Sequence, residues 1–133
     1  MPANKLLVVD DSQTIRLSVK RLFENAGYET IVAADGLEAI DRLSENPDLI
    51  VLDVNMPGLD GYGVCETMRE MGHHYDRLPI VFLTSVESRA MELLGHEFGA
   101  YLNKPVQPGK LLDVVEDLLA QAGPAALQPN DAG

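Results

Sequence analysis

Cysteine is almost missing from this chain: Cys65 is the one example in 133 residues, which excludes an internal disulfide framework. Basic residues are also scarce, ten Lys and Arg against 21 Asp and Glu for a net charge of −11. They are scattered along the chain and form no stripe of the kind that neutralises nucleic-acid phosphates. Nucleic-acid binding by this domain is therefore not expected. No apolar run approaches the ~20 residues of a membrane-spanning helix, and no signal-peptide pattern opens the chain. The expectations are no membrane insertion and a cytoplasmic location. Heptad runs and internal repeats are absent too. A chain of 133 residues matches one domain, long enough to bury a core without disulfides or a structural metal.

What is present is a regular alternation of strand-like and helix-like segments. Leu6 to Val9, Leu49 to Leu52 and Ile80 to Leu83 are short apolar runs suited to buried strands, with Thr30 to Ala33 and Tyr101 to Asn103 as shorter ones. Between them, Ser12 to Asn25 places Ile15, Val19, Leu22 and Phe23 at helical spacing, and Gly36 to Glu45 does the same with Leu37, Ile40 and Leu43. Further helices are predicted over Tyr62 to Met71, Ser88 to Phe98 and Lys110 to Gln121. Strands joined by helical crossovers must be parallel, with right-handed connections. The fold class is thus α/β: a flavodoxin-like, doubly wound five-stranded parallel sheet with five helices, (βα)5. The domain is expected over residues 1–122. Residues 123–133, with two prolines and small or polar side chains, are expected to be a flexible tail or the start of a linker.

Each main strand stops at a polar group: Asp10-Asp11, Asp53, Thr84 and Lys104-Pro105. In a parallel sheet these C-terminal ends share one edge, where ligands bind. Three converging carboxylates repel one another, which raises at least one pKa unless a cation joins them. Oxygen-only donors with open positions for water and phosphate suit Mg2+ better than a soft metal. Asp10 and Asp11 would hold the ion from one side and Asp53 from the other. Lys104 adds a fixed positive charge and Thr84 a hydroxyl donor, so the edge suits phosphoryl transfer, which depends mostly on position and charge neutralisation. No general base is needed if the nucleophile is already ionised, and Asp53 on the central strand is the best candidate.

Four segments in order carry a resemblance: Val9-Asp10-Asp11-Ser12, Leu52-Asp53 through Asp60-Gly61, Leu83-Thr84-Ser85, and Tyr101-Leu102-Asn103-Lys104-Pro105. Over residues 5–121 the chain resembles a response-regulator receiver domain of two-component signalling, of the chemotaxis-regulator type. The resemblance implies that Asp53 accepts a phosphoryl group from a sensor histidine kinase or phosphotransfer protein. It implies Mg2+ on Asp10, Asp11 and Asp53 with the backbone carbonyl of Asn55, and phosphoryl contacts from Thr84 and Lys104. It also implies a switch in which Thr84 draws Tyr101 inward, so that the face made by the fourth helix, fifth strand and fifth helix controls a downstream effector protein. A cis Lys104-Pro105 bond is frequent in such proteins. The chain departs from the pattern in two places: Gly99-Ala100 runs directly into Tyr101 without two intervening residues, and the residue two after Thr84 is the apolar Val86.

Plainer readings stand beside these. Asp10-Asp11 would also favour a helix N-terminus, Thr84 would also cap the following helix, and Tyr101 would also serve as a half-buried tyrosine that does not switch. His73-His74 reads as a solvated connector, Cys65 as a small core residue, and the acidic stretch Asp113 to Asp117 as a solvated face or a docking face. A Mg2+-dependent phosphatase with an aspartyl-phosphate intermediate would want a second carboxylate two residues after the nucleophile, and Asp53-Val54-Asn55 lacks it. A receiver-shaped domain that takes no phosphate would not need the full set of acceptor, metal, hydroxyl and lysine positions. The last helix lacks an Arg-rich pattern, so a stand-alone regulator is expected rather than a DNA-binding one.

Overall fold

The structure is a computed structural model that describes residues 4–56, 58–72, 78–85 and 98–127, of which 122–127 are described by backbone alone. Its elements are β1 (Lys5–Val9), α1 (Gln13–Asn25), β2 (Glu29–Ala33), α2 (Gly36–Arg42), a 3-10 turn (Leu43–Glu45), β3 (Leu49–Asp53), α3 (Gly61–Met71), β4 (Ile80–Thr84), β5 (Gly99–Asn103) and a C-terminal helix (Pro108–Leu127). The five strands form one parallel sheet in the order β2-β1-β3-β4-β5. This is the doubly wound, flavodoxin-like fold expected from the alternation. Four α-helices lie within the described residues; the helix predicted over Ser88 to Phe98 falls outside them except for Phe98, as do Pro57, His73-His74 and Val86.

Side chains that alternate along each strand feed two cores. Leu7, Val9, Ile50, Leu52, Ile80 and Phe82 pack with residues of α2 and α3 on one face. Leu6, Val8, Leu49, Val51, Val81 and Leu83 pack with α1 and the C-terminal helix on the other. β3 is central and buried along its whole length. Capping sets where the helices begin. Ser12 caps α1 through Ile15 N–H, Asp35 caps α2 through Glu38 N–H, and Asp60 caps α3 through Gly63 N–H, each side-chain oxygen accepting an otherwise orphan donor.

Two boundaries differ from the sequence expectation. β5 begins at Gly99 rather than Tyr101, because Gly99 and Ala100 pair with Ile80 and Val81. Only glycine fits at position 99: its φ is +156°, and a Cβ there would run into the Ile80 carbonyl oxygen. The Gly-Ala pair is therefore part of the strand. At the other end the helix expected over Lys110 to Gln121 runs as Pro108–Leu127.

Candidate functional site

Register decides which strand ends meet. Val9 is level with Leu52 across β1 and β3, so Asp10 lies level with Asp53 on the neighbouring strand. Asp53 is level with Leu83, which puts Thr84 one residue beyond it on β4, and Thr84 is level with Asn103, which puts Lys104 one residue beyond the end of β5. The only buried polar residues among those described are Asp10, Asp53 and Thr84, and all three belong to this edge. Polar groups are buried where something compensates them, and here that is the edge itself.

The Lys104 ammonium bridges the two buried carboxylates, 3.0 Å from Asp10 Oδ2 and 3.3 Å from Asp53 Oδ1. Its backbone is fixed as well, since Lys104 N–H donates to the Thr84 carbonyl at 2.7 Å, and the Lys104-Pro105 bond is cis. Asp10 Oδ1 accepts from Ser12 N–H at 2.9 Å. Asp53 Oδ1 also accepts from Asn55 N–H at 3.1 Å, the short-range turn that aspartate forms with its own backbone. Among the described residues, both polar contacts of Asp53 therefore fall on Oδ1.

One carboxylate oxygen each from Asp10, Asp11 and Asp53 lie within 4.8 Å of one another, with Asp10 and Asp53 buried and Asp11 exposed. Burial first, and then the charge of Asp10, push the Asp53 carboxyl from 3.8 up to about 6, against the opposing pull of Lys104 and the Asn55 N–H. Burial alone would lower Lys104, but the hydrogen bond and charge of Asp10, followed by those of Asp53, outweigh it and hold the ammonium above its usual range. One ammonium thus bridges two of three clustered carboxylates; the cluster supplies hard oxygen donors, and these residues fit a small divalent cation.

Tyr101 is half-buried and packs on the core that holds Phe82, its partner across β4 and β5. Thr84 shares the face of Phe82 by the period of two, so Tyr101 sits diagonally from it on the neighbouring strand. Cys65 is buried in α3, as a small core residue would be. Sequence reasoning passed over Arg16, whose Nη1 donates to the Asp10 carbonyl at 2.7 Å. The available signal was a cation on the inward stripe of α1, where the pattern calls for an apolar residue.

Comparisons with known proteins agree on the same region. A family model described as the response regulator receiver domain matches residues 6–116. Response regulator MprA of Mycobacterium sp. strain KMS is 42% identical over 123 residues, 90% of this chain and 52% of that protein. MprA of Mycobacterium bovis strain BCG / Pasteur 1173P2 is also 42% identical over 123 residues, covering 90% of this chain and 52% of that protein. The chain spans about half the length of the curated relatives it matches. Among solved structures, chemotaxis protein CheY4 of Vibrio cholerae is similar with a TM-score of 0.80 and 37% identity, covering 88% of this chain and 99% of that one. The receiver domain of Francisella response regulator 1452 is similar with a TM-score of 0.78 and 33% identity, covering 89% and 98%.

Proposed function

The chain belongs to the response regulator receiver domains, the signalling modules of two-component systems, and from that premise we propose that Asp53 accepts a phosphoryl group from the phosphohistidine of a sensor histidine kinase or phosphotransfer protein. The observation that carries the reading is the Lys104 ammonium, held 3.0 Å from Asp10 and 3.3 Å from Asp53 beside a third carboxylate. With a pKa of about 6, Asp53 is mostly ionised at neutral pH and needs no base to attack. Its Oδ1 is engaged by Asn55 and Lys104, so Oδ2 is the oxygen that bonds to phosphorus as the phosphorus–nitrogen bond of the donor breaks; the bonding pair returns to that nitrogen, and the imidazole leaves neutral, keeping the proton its other nitrogen already carries. Lys104 then pairs with the phosphoryl oxygens, and the Thr84 hydroxyl donates to one of them. Mg2+ would be held by Asp10, Asp11, Asp53 and the Asn55 backbone carbonyl, and it would neutralise phosphoryl oxygen charge in the transfer. The protein is a signalling module rather than an enzyme acting on an external substrate. Its chemistry is limited to its own phosphoryl transfer and slow loss of the phosphate.

Output follows from the same contacts. A phosphoryl group carrying nearly two negative charges draws the Thr84 hydroxyl and biases an existing equilibrium at Tyr101. A groove of about 660 Å3 lined by Tyr101, Asn103, Gln107, Lys110 and Val114 runs beside β5, and a downstream effector protein reads this face in the cytoplasm, without nucleic acid or membrane insertion by this domain. The test of the acceptor is intact mass after incubation with acetyl phosphate. Wild type is expected to gain one phosphate only with Mg2+ present, and Asp53→Asn to gain none. Equal labelling of the mutant would rule out Asp53.

A further inference from the structure

Asp11 is the least supported member of the acidic cluster. Its side chain is exposed, and among the described residues no hydrogen bond or ion pair holds its carboxylate. It nevertheless lies within 4.8 Å of the Asp10 and Asp53 oxygens, whose charge repels it. The backbone must keep it there. Asp10, just before it, is tied at every polar atom: N–H to the Ala33 carbonyl at 3.2 Å, Oδ1 to Ser12 N–H at 2.9 Å, Oδ2 to Lys104 at 3.0 Å, and the carbonyl to Arg16 Nη1 at 2.7 Å. That carbonyl belongs to the same planar peptide as the Asp11 N–H. The Arg16 bond therefore fixes the plane from which the Asp11 side chain departs.

Arg16 stands in an unusual place for a cation. It shares the inward stripe of α1 with Val19 and Phe23, which are buried at 5% and 0% exposure, by the i, i+3, i+7 spacing. A half-buried guanidinium at the head of an apolar stripe is costly unless it makes a charge-assisted hydrogen bond, and the Asp10 carbonyl accepts one. We propose that Arg16 is a positioning residue for the divalent-cation site, holding the Asp10-Asp11 peptide so that Asp11 completes the cluster. The inference rests on the reading that Asp10, Asp11 and Asp53 bind Mg2+.

The test is a Mg2+ titration of the whole chain followed by amide chemical shifts, with the metal-free urea midpoint measured in parallel. Arg16→Met keeps the aliphatic stem and removes the donor, and it should weaken Mg2+ binding about tenfold, the usual scale for a group that orients a metal ligand. Arg16→Lys keeps a charged donor and should recover most of that loss. If the methionine variant fails to fold, Arg16→Leu carries the same test. In an Asp11→Asn background the Arg16 change should add little further loss, because it acts through Asp11. Unchanged Mg2+ affinity in Arg16→Met, even with a lower urea midpoint, would overturn the inference, and so would an equal fold-loss in both backgrounds. A wild type that binds no Mg2+ would overturn the metal reading itself and this inference with it.

Discussion

Replacing Asp53 by Asn should make the metal-free protein more stable at neutral pH. In the folded state burial and Asp10 hold the Asp53 carboxyl at about 6, against 3.8 for an ordinary aspartate. A raised folded pKa means that the group favours the folded state most at low pH, and that this advantage is lost as pH rises toward 6. At pH 7.5 the ionised carboxylate should cost about 3 kcal/mol, from roughly 2 pH units at 1.36 kcal/mol each. The cleft is open beside exposed Asp11, where solvent and counter-ions screen the charge, so ~1–3 kcal/mol is the working range. Asn55 N–H can still bond to the amide oxygen of the substituted residue, and Lys104 keeps Asp10. A domain of this size unfolds with an entropy near 0.28 kcal/mol/K, so the gain is a rise of ~4–10 °C in Tm. Thermal unfolding with EDTA from pH 4 to 8 reads it directly. The difference between mutant and wild type should be small near pH 4, grow between pH 4 and 7, and level off above. A flat difference across that range, or a mutant less stable at pH 8, would refute the electrostatic reasoning.

Lys104→Met leaves Asp10 and Asp53 uncompensated, with an expected loss of about 3 kcal/mol at pH 8 and a smaller loss at pH 5. Urea unfolding at the two values checks this, and equal losses would argue against a charge origin. Mg2+ at ten times its Kd should stabilise the wild type by about 1.4 kcal/mol; Asp11→Ala should raise metal-free stability and abolish this response, whereas an unchanged Mg2+ shift in Tm would exclude Asp11 as a ligand. Gly61→Ala would place a Cβ 2.9 Å from Val54 Cα and 3.0 Å from the Asp53 carbonyl oxygen. It should cost ~1–3 kcal/mol, and a change within a few tenths in urea unfolding would show that the β3–α3 junction yields.

The strands and the polar edge were legible because apolar runs that end in Asp, Thr or Lys are local signals, and parallel crossovers bring their ends together. The contact between Lys104 and Asp10 spans 94 positions and depends on register, which no local pattern encodes. Register also explains the miss at β5: Gly99 and Ala100 are poor strand formers and read as a corner, yet the pairing with β4 extends the strand through them. Arg16 was invisible for another reason. A residue that interrupts an apolar stripe looks like noise until the carbonyl it reaches is known.

The most direct test is to locate the phosphate. After labelling with acetyl phosphate and Mg2+, borohydride reduction converts an aspartyl phosphate to homoserine, which peptide mass spectrometry assigns to a position. Conversion at Asp53 alone is expected. Conversion at Asp10 or Asp11 with Asp53 intact, or at none of the three in a folded protein, would contradict the assignment of Asp53 as the acceptor.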